Sequence, residues 1–223
     1  IGVFALLAGL IVDLAGDDPN NIITTLTPLL YYALTVIVGL TFMVFIFYPL
    51  IIYVKTGITI KKFLKAIFPA QMLAFSTSSS AATLPLTMKR VEKNLNVSDE
   101  VTSFVCPLGA TINMDGTSIH QAISAVFIAQ AFGQDLTLID QVAIVLTATL
   151  SSIGAAAVPG AGLIMLVIVL GAIGIDPQGL ALIIAIDRPL DMLRTVVNVT
   201  GDATVASVVA STEGEKIKYT EDE

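Results

Sequence analysis

AIDRPLDMLRTVVNVTGD, residues 185–202, follows directly on an apolar run yet carries three aspartates, two arginines and an asparagine. Projected as a helix at about 100° per residue, Asp187, Asp191, Arg194, Thr195, Asn198 and Asp202 fall within an arc of roughly 100°. Leu190, Leu193, Val197 and Val199 take most of the opposite side. A charge at the centre of a bilayer costs at least about 2.5–3.5 kcal/mol. Such a stripe has to line a polar interior and find partners there.

The bilayer is implied by composition. The chain of 223 residues is 55% hydrophobic and 13% charged, with a mean hydropathy of +0.88. An average soluble chain carries about twice that share of charge. This reads as an all-α polytopic membrane protein of the cell membrane and not as an enzyme with a large globular core. The single cysteine, Cys106, allows no internal disulfide and reads as a small buried residue. Seven of the eleven Lys and Arg lie between Lys55 and Lys93, and two more are Lys216 and Lys218, whereas Asp13, Asp17, Asp18, Asp135, Asp140 and Asp176 lie apart from them. By the positive-inside rule 55–65, 89–100 and the C-terminus face the cytoplasm, and 13–22, 133–140 and 174–178 face outward.

Residues 1–12 are apolar but shorter than the ~20 residues a span needs, and read as the end of a helix that starts upstream. Residues 23–54 read as a tilted span running inward. Over 61–95 a Ser-rich tip, STSSSAATLP (76–85), is flanked by two basic clusters. Both ends are therefore cytoplasmic and each arm is short, which predicts a re-entrant hairpin. Residues 99–133 form a helix interrupted by ATINMDGT (110–117), whose Asn, Asp and Gly are poor helix residues. Residues 137–175 make a second hairpin from the outside, broken by SSIGAAAVPGAG (151–162), where Pro159 and three glycines forbid one continuous helix. Residues 178–212 are the last helix and 213–223 a cytoplasmic tail. Hairpin, broken helix, opposed hairpin and polar helix together read as inverted repeats, the usual build of secondary transporters.

The charges then speak to the ligand. Asp115, Asp187, Asp191 and Asp202 set against Arg188 and Arg194 leave a surplus of two negative charges. With Asn113, Asn198, Thr195 and freed carbonyls as donors, hard oxygen ligands suit Na⁺ or H⁺ better than zinc. Arg194 offers a planar fork for a carboxylate and Asp191 an acceptor for an ammonium group, the two ends of an acidic amino acid. If all six charged groups share one pocket, an anionic guest needs roughly three monovalent cations to neutralise it. Several residues have plainer readings. Arg188 lies at the edge of the stripe, His120 reads as packing, Gln121 is a polar group beside the unwound loop, and Ser79 and Ser80 could cap a helix.

TSSSAATLP, GATINMDGT, SSIGAAAVPGAG and DMLRTVVNVTGD, in this order, resemble the glutamate/aspartate transporter family, which includes mammalian excitatory amino acid transporters and archaeal aspartate transporters. The resemblance covers essentially the whole chain. It implies a homotrimer with a scaffold and an elevator-like transport domain, here 23–212, with 1–12 the end of a truncated scaffold helix. It implies that Arg194 takes the substrate side-chain carboxylate and Asp191 its amino group. Asn198 and Thr195 would hold the α-carboxylate, and Thr117, Ser78, Ser80, Val158 and Gly162 would complete the site. It implies two or three Na⁺ ions: one on Gly109, Asn113, Asn198 and Asp202, a second on Thr111, Ser152, Ile153, Ala155 and the Met114 sulfur, a third on Asn113 and Asp115. The tip 151–162 would be the gate.

The chain departs from the family pattern at several positions. Ser78 stands where archaeal members carry Arg, Met192 where mammalian members carry Arg, and Gln121 where mammalian members carry a proton-carrying Glu. His120 stands in place of a usual Tyr and Ala155 in place of a Thr.

The expected function is Na⁺-coupled symport of aspartate or glutamate, with no enzymatic activity and no nucleic-acid partner. A proton-coupled dicarboxylate carrier of the same family, an ion channel, and an intramembrane protease built on Asp115 and Asp191 are the rival readings.

Overall fold

The computed structural model describes residues 19–221, and all regular structure in it is helical. The expected helix end over 1–12 lies outside the described residues.

Helix α1 (Pro19–Phe42) runs through a π-helical segment (Met43–Phe47) into α2 (Tyr48–Thr56). The wide turn has a cause in Pro49 at the start of α2. Proline has no N–H, and its ring clashes with the carbonyl four residues back, here Phe45 inside the π segment. The buried stripe Leu29, Tyr32, Val36, Leu40, Val44, Tyr48, Ile52 advances by four residues at almost every step. In a regular helix that stripe drifts about 40° per step. A π turn holds more residues and winds part of the drift back, so Tyr48 still faces inward. The outer side (Tyr31, Leu34, Val38, Phe42, Phe45) is exposed and apolar. Leu26–Thr56 is, among the described residues, the one helix long and apolar enough to cross a membrane by itself.

The rest of the chain is made of shorter pieces. Helices α3 (Ile60–Thr77) and α4 (Ser80–Leu95) form a helical hairpin, closed where Ser78 takes a left-handed φ of 52°. Helices α5 (Asp99–Ile112) and α6 (Asp115–Ala131) are separated by Asn113 and Met114 alone, a narrower break than the expected 110–117. Helices α7 (Leu138–Ile153) and α8 (Ala161–Ala172) form the second hairpin, turned at Gly160 with φ 78°. Helix α7 opens on a capping box in which Thr137 and Asp140 satisfy each other's backbone N–H. The Thr137 hydroxyl and N–H both donate to the exposed Asp140 carboxylate and hold it below the usual carboxylate range.

Helix α9 (Ile184–Thr212) is the hub and touches α1 to α6 and α8. Where the sequence suggests a helix from 178, Asp176 caps a 3₁₀ turn over Pro177–Leu182 and the α-helix starts at Ile184. The side opposite the charged stripe does not face lipid: Leu190, Val197 and Val199 are as buried as Arg194 and Asn198. Such a helix needs its hydroxyls satisfied locally, and Thr195, Thr200, Thr204 and Ser207 each donate to the carbonyl four residues back. Small residues (Gly201, Ala203, Ala206, Ala210) let its neighbours approach closely. Two apolar clusters flank it. One joins α1, α6, α7 and α8 with Leu190 and Val197, and the other joins α2 to α5 with Ala203, Ala206 and Ala210. The polar residues sit at the seam between them. Past α9 the chain folds back: Lys218 and Thr220 donate backbone N–H groups to Leu95 and Asn94 at the base of the first hairpin.

The 3₁₀ turn is packed tightly enough to test. A Cβ on Gly179 would collide with Ile128 Cγ2 and approach the Phe132 ring to 2.9 Å. Overpacking of this kind costs about 1–3 kcal/mol. Gly179→Ala is therefore expected to lower the unfolding midpoint measured in detergent, whereas Gln178→Ala on the exposed side of the same turn leaves it in place.

Candidate functional site

Three interruptions of helical backbone meet beside the middle of α9: the turn at Ser78–Ser79, the break at Asn113–Met114 and the tip 154–160. They enclose a cavity of about 20 Å³ lined by Ser78, Ser80, Met114, Thr117, Ala155, Ala156, Ala157, Val158, Gly162, Asp191, Thr195 and Asn198. This is room for about one water molecule. The two hairpin tips touch across it. Ser79 Oγ donates to the Ala157 carbonyl at 2.7 Å, and the Ala81 N–H reaches the same oxygen at 3.3 Å. Ser79 is also the cap of α4, accepting from the Ala82 N–H at 3.1 Å, so Ser80 is free to face the cavity. Ser78 Oγ is buried with no hydrogen-bond partner among the described residues. A larger groove of about 1320 Å³ between α1, α6 and α7 is mostly apolar and includes none of these residues.

Of the residues expected to hold substrate, Arg194 alone does not line this cavity. It is fully buried just behind it, with Nη2 2.7 Å from Asp191 Oδ1 and 3.2 Å from Asp187 Oδ1. Its Nη1 lies 2.6 Å from His120 Nδ1. Asp191 is shared in turn. Its Oδ2 accepts the Gly160 N–H of the second tip at 3.0 Å and meets the half-exposed Arg188 at 3.5 Å. Asp187 and Asp191 thus face Arg188 and Arg194, and the charges of this cluster cancel.

A second cluster lies at the helix break, roughly 12 Å further along α9 by the rise per residue. Asp202 is buried and accepts from Asn113 Nδ2 at 3.0 Å. A Cβ on Gly109 would fall 2.5 Å from Asp202 Oδ1, so the glycine is what admits the carboxylate there. Half-buried Asp115 accepts from the Tyr48 hydroxyl at 2.5 Å. Neither carboxylate forms an ion pair among the described residues. The six charged groups therefore do not share one pocket, as the sequence reading assumed. A neutral set faces the cavity, and the two surplus negative charges sit at the break. Asn198 stands between the two. It accepts the Gly116 N–H at 2.8 Å and donates to Met114 S at 3.2 Å and Thr117 Oγ1 at 3.3 Å.

The other expected cation ligands are divided. Met114 and Ala155 line the cavity together, and Ser152 is buried beside them in sequence. Thr111 and Ile153 are exposed at the ends of α5 and α7, two helices that touch. No cluster of three or more His, Cys, Asp or Glu side chains forms among the described residues. The donors at the break are carboxylate, amide and carbonyl oxygens, a set for a weakly held hard ion.

Tyr48, Tyr32 and Gln121 escaped the sequence reading or were left as bystanders. Nothing in the apolar run 23–54 distinguishes Tyr48 until the π turn aims it at Asp115. Gln121, fully buried, joins both arms of the second hairpin: its Nε2 donates to the Gly162 carbonyl at 3.0 Å and its Oε1 accepts from Ser151 Oγ at 2.6 Å. Its place six residues past Asp115 was the available signal.

Comparison with known proteins gives the chain a family. The model of the sodium:dicarboxylate symporter family matches residues 1–212. An excitatory amino acid transporter of Caenorhabditis elegans is 44% identical over 93% of this chain and 40% of its own length. A putative sodium-dependent excitatory amino acid transporter of the same organism is 44% identical over 94% of this chain and 41% of its own. Excitatory amino acid transporter 2 of Homo sapiens is 46% identical over 80% and 31%. The chain thus spans about two fifths or less of the length of these relatives.

Gly162 tests the closeness of tip and α9. A Cβ there would lie 2.9 Å from Thr117 Cγ2 and 3.2 Å from Arg194 Nη1. Gly162→Ala is expected to weaken ligand affinity about 10-fold or more in calorimetry, the scale of about 1–3 kcal/mol of overpacking, while Gly171→Ala, at a glycine with open space around it, leaves it unchanged.

Proposed function

The chain belongs to the sodium:dicarboxylate symporter family, and on that footing we propose that it carries the binding sites of a Na⁺-coupled symporter of aspartate or glutamate. The observation that carries this reading is the separation of charge along α9. The cluster facing the cavity is already balanced, so an acidic amino acid arriving there adds a net negative charge. The break eight residues on holds two carboxylates that pair with no Lys, Arg or His among the described residues. Monovalent cations at Asp202 and Asp115 would offset that surplus, and a third would offset the substrate. Na⁺ is here a cargo, held by Asn113, Asn198 and Asp202 and the carbonyls freed at the break.

Substrate binding then exchanges partners instead of creating them. The ammonium group would take Asp191 Oδ2, whose present donors are the Gly160 N–H and, at 3.5 Å, Arg188 Nη1. The side-chain carboxylate would take the Arg194 fork. A cavity of about 20 Å³ admits no amino acid until the tip 154–160 withdraws, so the second hairpin is the proposed gate. Asn198 links cation and substrate levels: it contacts Gly116 and Met114 at the break and Thr117 in the cavity. Re-entrant hairpins, an elevator movement of 23–212, a homotrimer and a cytoplasmic C-terminus complete the proposal by kinship and by the charge pattern.

The family is one of transporters, and the protein is not an enzyme, so a protease built on Asp115 and Asp191 falls away. The same uncompensated carboxylates would also suit protons. The Met114 sulfur and the amide and carbonyl donors favour a metal cation.

Two measurements on the complete protein in liposomes decide between these. Replacing Na⁺ by choline at fixed pH is expected to abolish aspartate uptake; uptake that persists and follows a proton gradient identifies the dicarboxylate carrier instead. Arg194→Cys is expected to lower kcat/KM for aspartate about 100-fold or more, the scale of losing one partner of a buried charge pair, and to admit neutral amino acids. Unchanged aspartate uptake would show that the carboxylate binds elsewhere.

A further inference from the structure

His120 has no part in the sites assigned above, yet it is fully buried against the residue on which substrate charge depends. Its Nδ1 lies 2.6 Å from Arg194 Nη1. A guanidinium has five N–H donors and no acceptor, so at this contact the imidazole has to accept. That settles the tautomer: the lone pair is on Nδ1 and the hydrogen on Nε2. Nε2 then faces oxygens, with the Tyr32 hydroxyl at 2.9 Å, Ser124 Oγ at 3.3 Å and Asp187 Oδ1 at 3.5 Å. Tyr32 and Ser124 are themselves joined at 2.8 Å. The ring is thus gripped along both edges, by α1 through Tyr32, by its own helix through Ser124, and by α9 through Arg194 and Asp187.

The chemical point is that this acceptor is neutral. A carboxylate in the same place would orient Arg194 equally well but would add a third negative charge to a cluster that Asp187 and Asp191 already balance. A neutral imidazole engages one Nη1 hydrogen and directs the fork without adding further negative charge where an anionic side chain has to arrive. We propose that His120 is the positioning residue that aims the Arg194 guanidinium and so sets the preference for an acidic over a neutral substrate side chain. The inference rests on Arg194 as the carboxylate site.

The test uses the complete protein in liposomes, with four variants and one spectroscopic measurement. His120→Leu removes the acceptor at similar bulk, and is expected to raise KM for aspartate about 10-fold or more, on the scale of a lost hydrogen bond to a charged group, with kcat within about 3-fold. His120→Gln supplies a carboxamide oxygen for Arg194 and an N–H for Tyr32, and is expected to restore KM to within about 3-fold of the parent. Tyr32→Phe, which loosens only the far edge, should fall between them. A wild-type KM in His120→Leu, or equal damage in His120→Leu and His120→Gln, overturns the proposal. Nitrogen-15 NMR of the histidine ring, assigned by the signal lost in His120→Gln, reads the contact without any transport. An unprotonated Nδ1 whose resonance moves in Arg194→Gln is expected, and an Nδ1–H tautomer overturns the proposal even where variants fold poorly. Loss of all aspartate uptake in the wild-type protein would instead strike the proposed substrate, and the tautomer would still decide the role of His120.

Discussion

Asp202 is buried beside Asp115 at a break in the helix, and no Lys, Arg or His of the described chain pairs with either. Desolvating a carboxylate is expensive, and the usual remedies are a counter-ion or a full set of hydrogen-bond donors. Here the protein supplies one strong donor to each, Asn113 to Asp202 and Tyr48 to Asp115. The rest of the local structure follows from admitting those two groups. Gly109 and Gly201 leave space where any side chain would collide, the second of them against Asn113 and Tyr48. The π turn before Pro49 brings Tyr48 round to the inner face. The interruption at Asn113–Met114 releases backbone carbonyls just where a small ion would want them.

Helix α9 turns this local demand into a layout. Its polar stripe meets a different partner at each level: the second tip at Asp191, α6 at Arg194 and Asn198, the end of α5 at Asp202. Its other face is packed against apolar neighbours, which fixes the rotation of the helix and hence the direction of every charge. Because the break at Asn113–Met114 lies between the levels, Asn198 touches both. The coupling proposed between cation and substrate thus needs no long pathway, only one amide whose two ends report on neighbouring groups.

Much of this was legible in the residues. The stripe, the two Ser- and Gly-rich tips and the NMDG break are strong signals because each puts polar or helix-breaking residues where an apolar helix would be cheaper. What could not be read was how the charges partition. Asp187, Asp191, Arg194 and Asp202 project onto one face whatever their vertical grouping, so a single pocket was the natural assumption. Tyr48 was invisible for another reason: its direction depends on a π turn, and periodicity arguments assume 3.6 residues per turn throughout. His120 was discounted because a lone histidine on a helix is ordinarily packing. Only the position of Arg194 Nη1 gives its lone pair a purpose.

The two hairpins end differently. The first is stitched at its base by the returning C-terminal segment and at its tip by the Ser79 cap; the second is tied to α9 through Asp191, to α6 through Gln121 and to the first tip through the Ala157 carbonyl, and otherwise rests on apolar contact. If the second tip is the gate proposed above, this unequal fastening makes the first hairpin a fixed jaw and the second a hinged one.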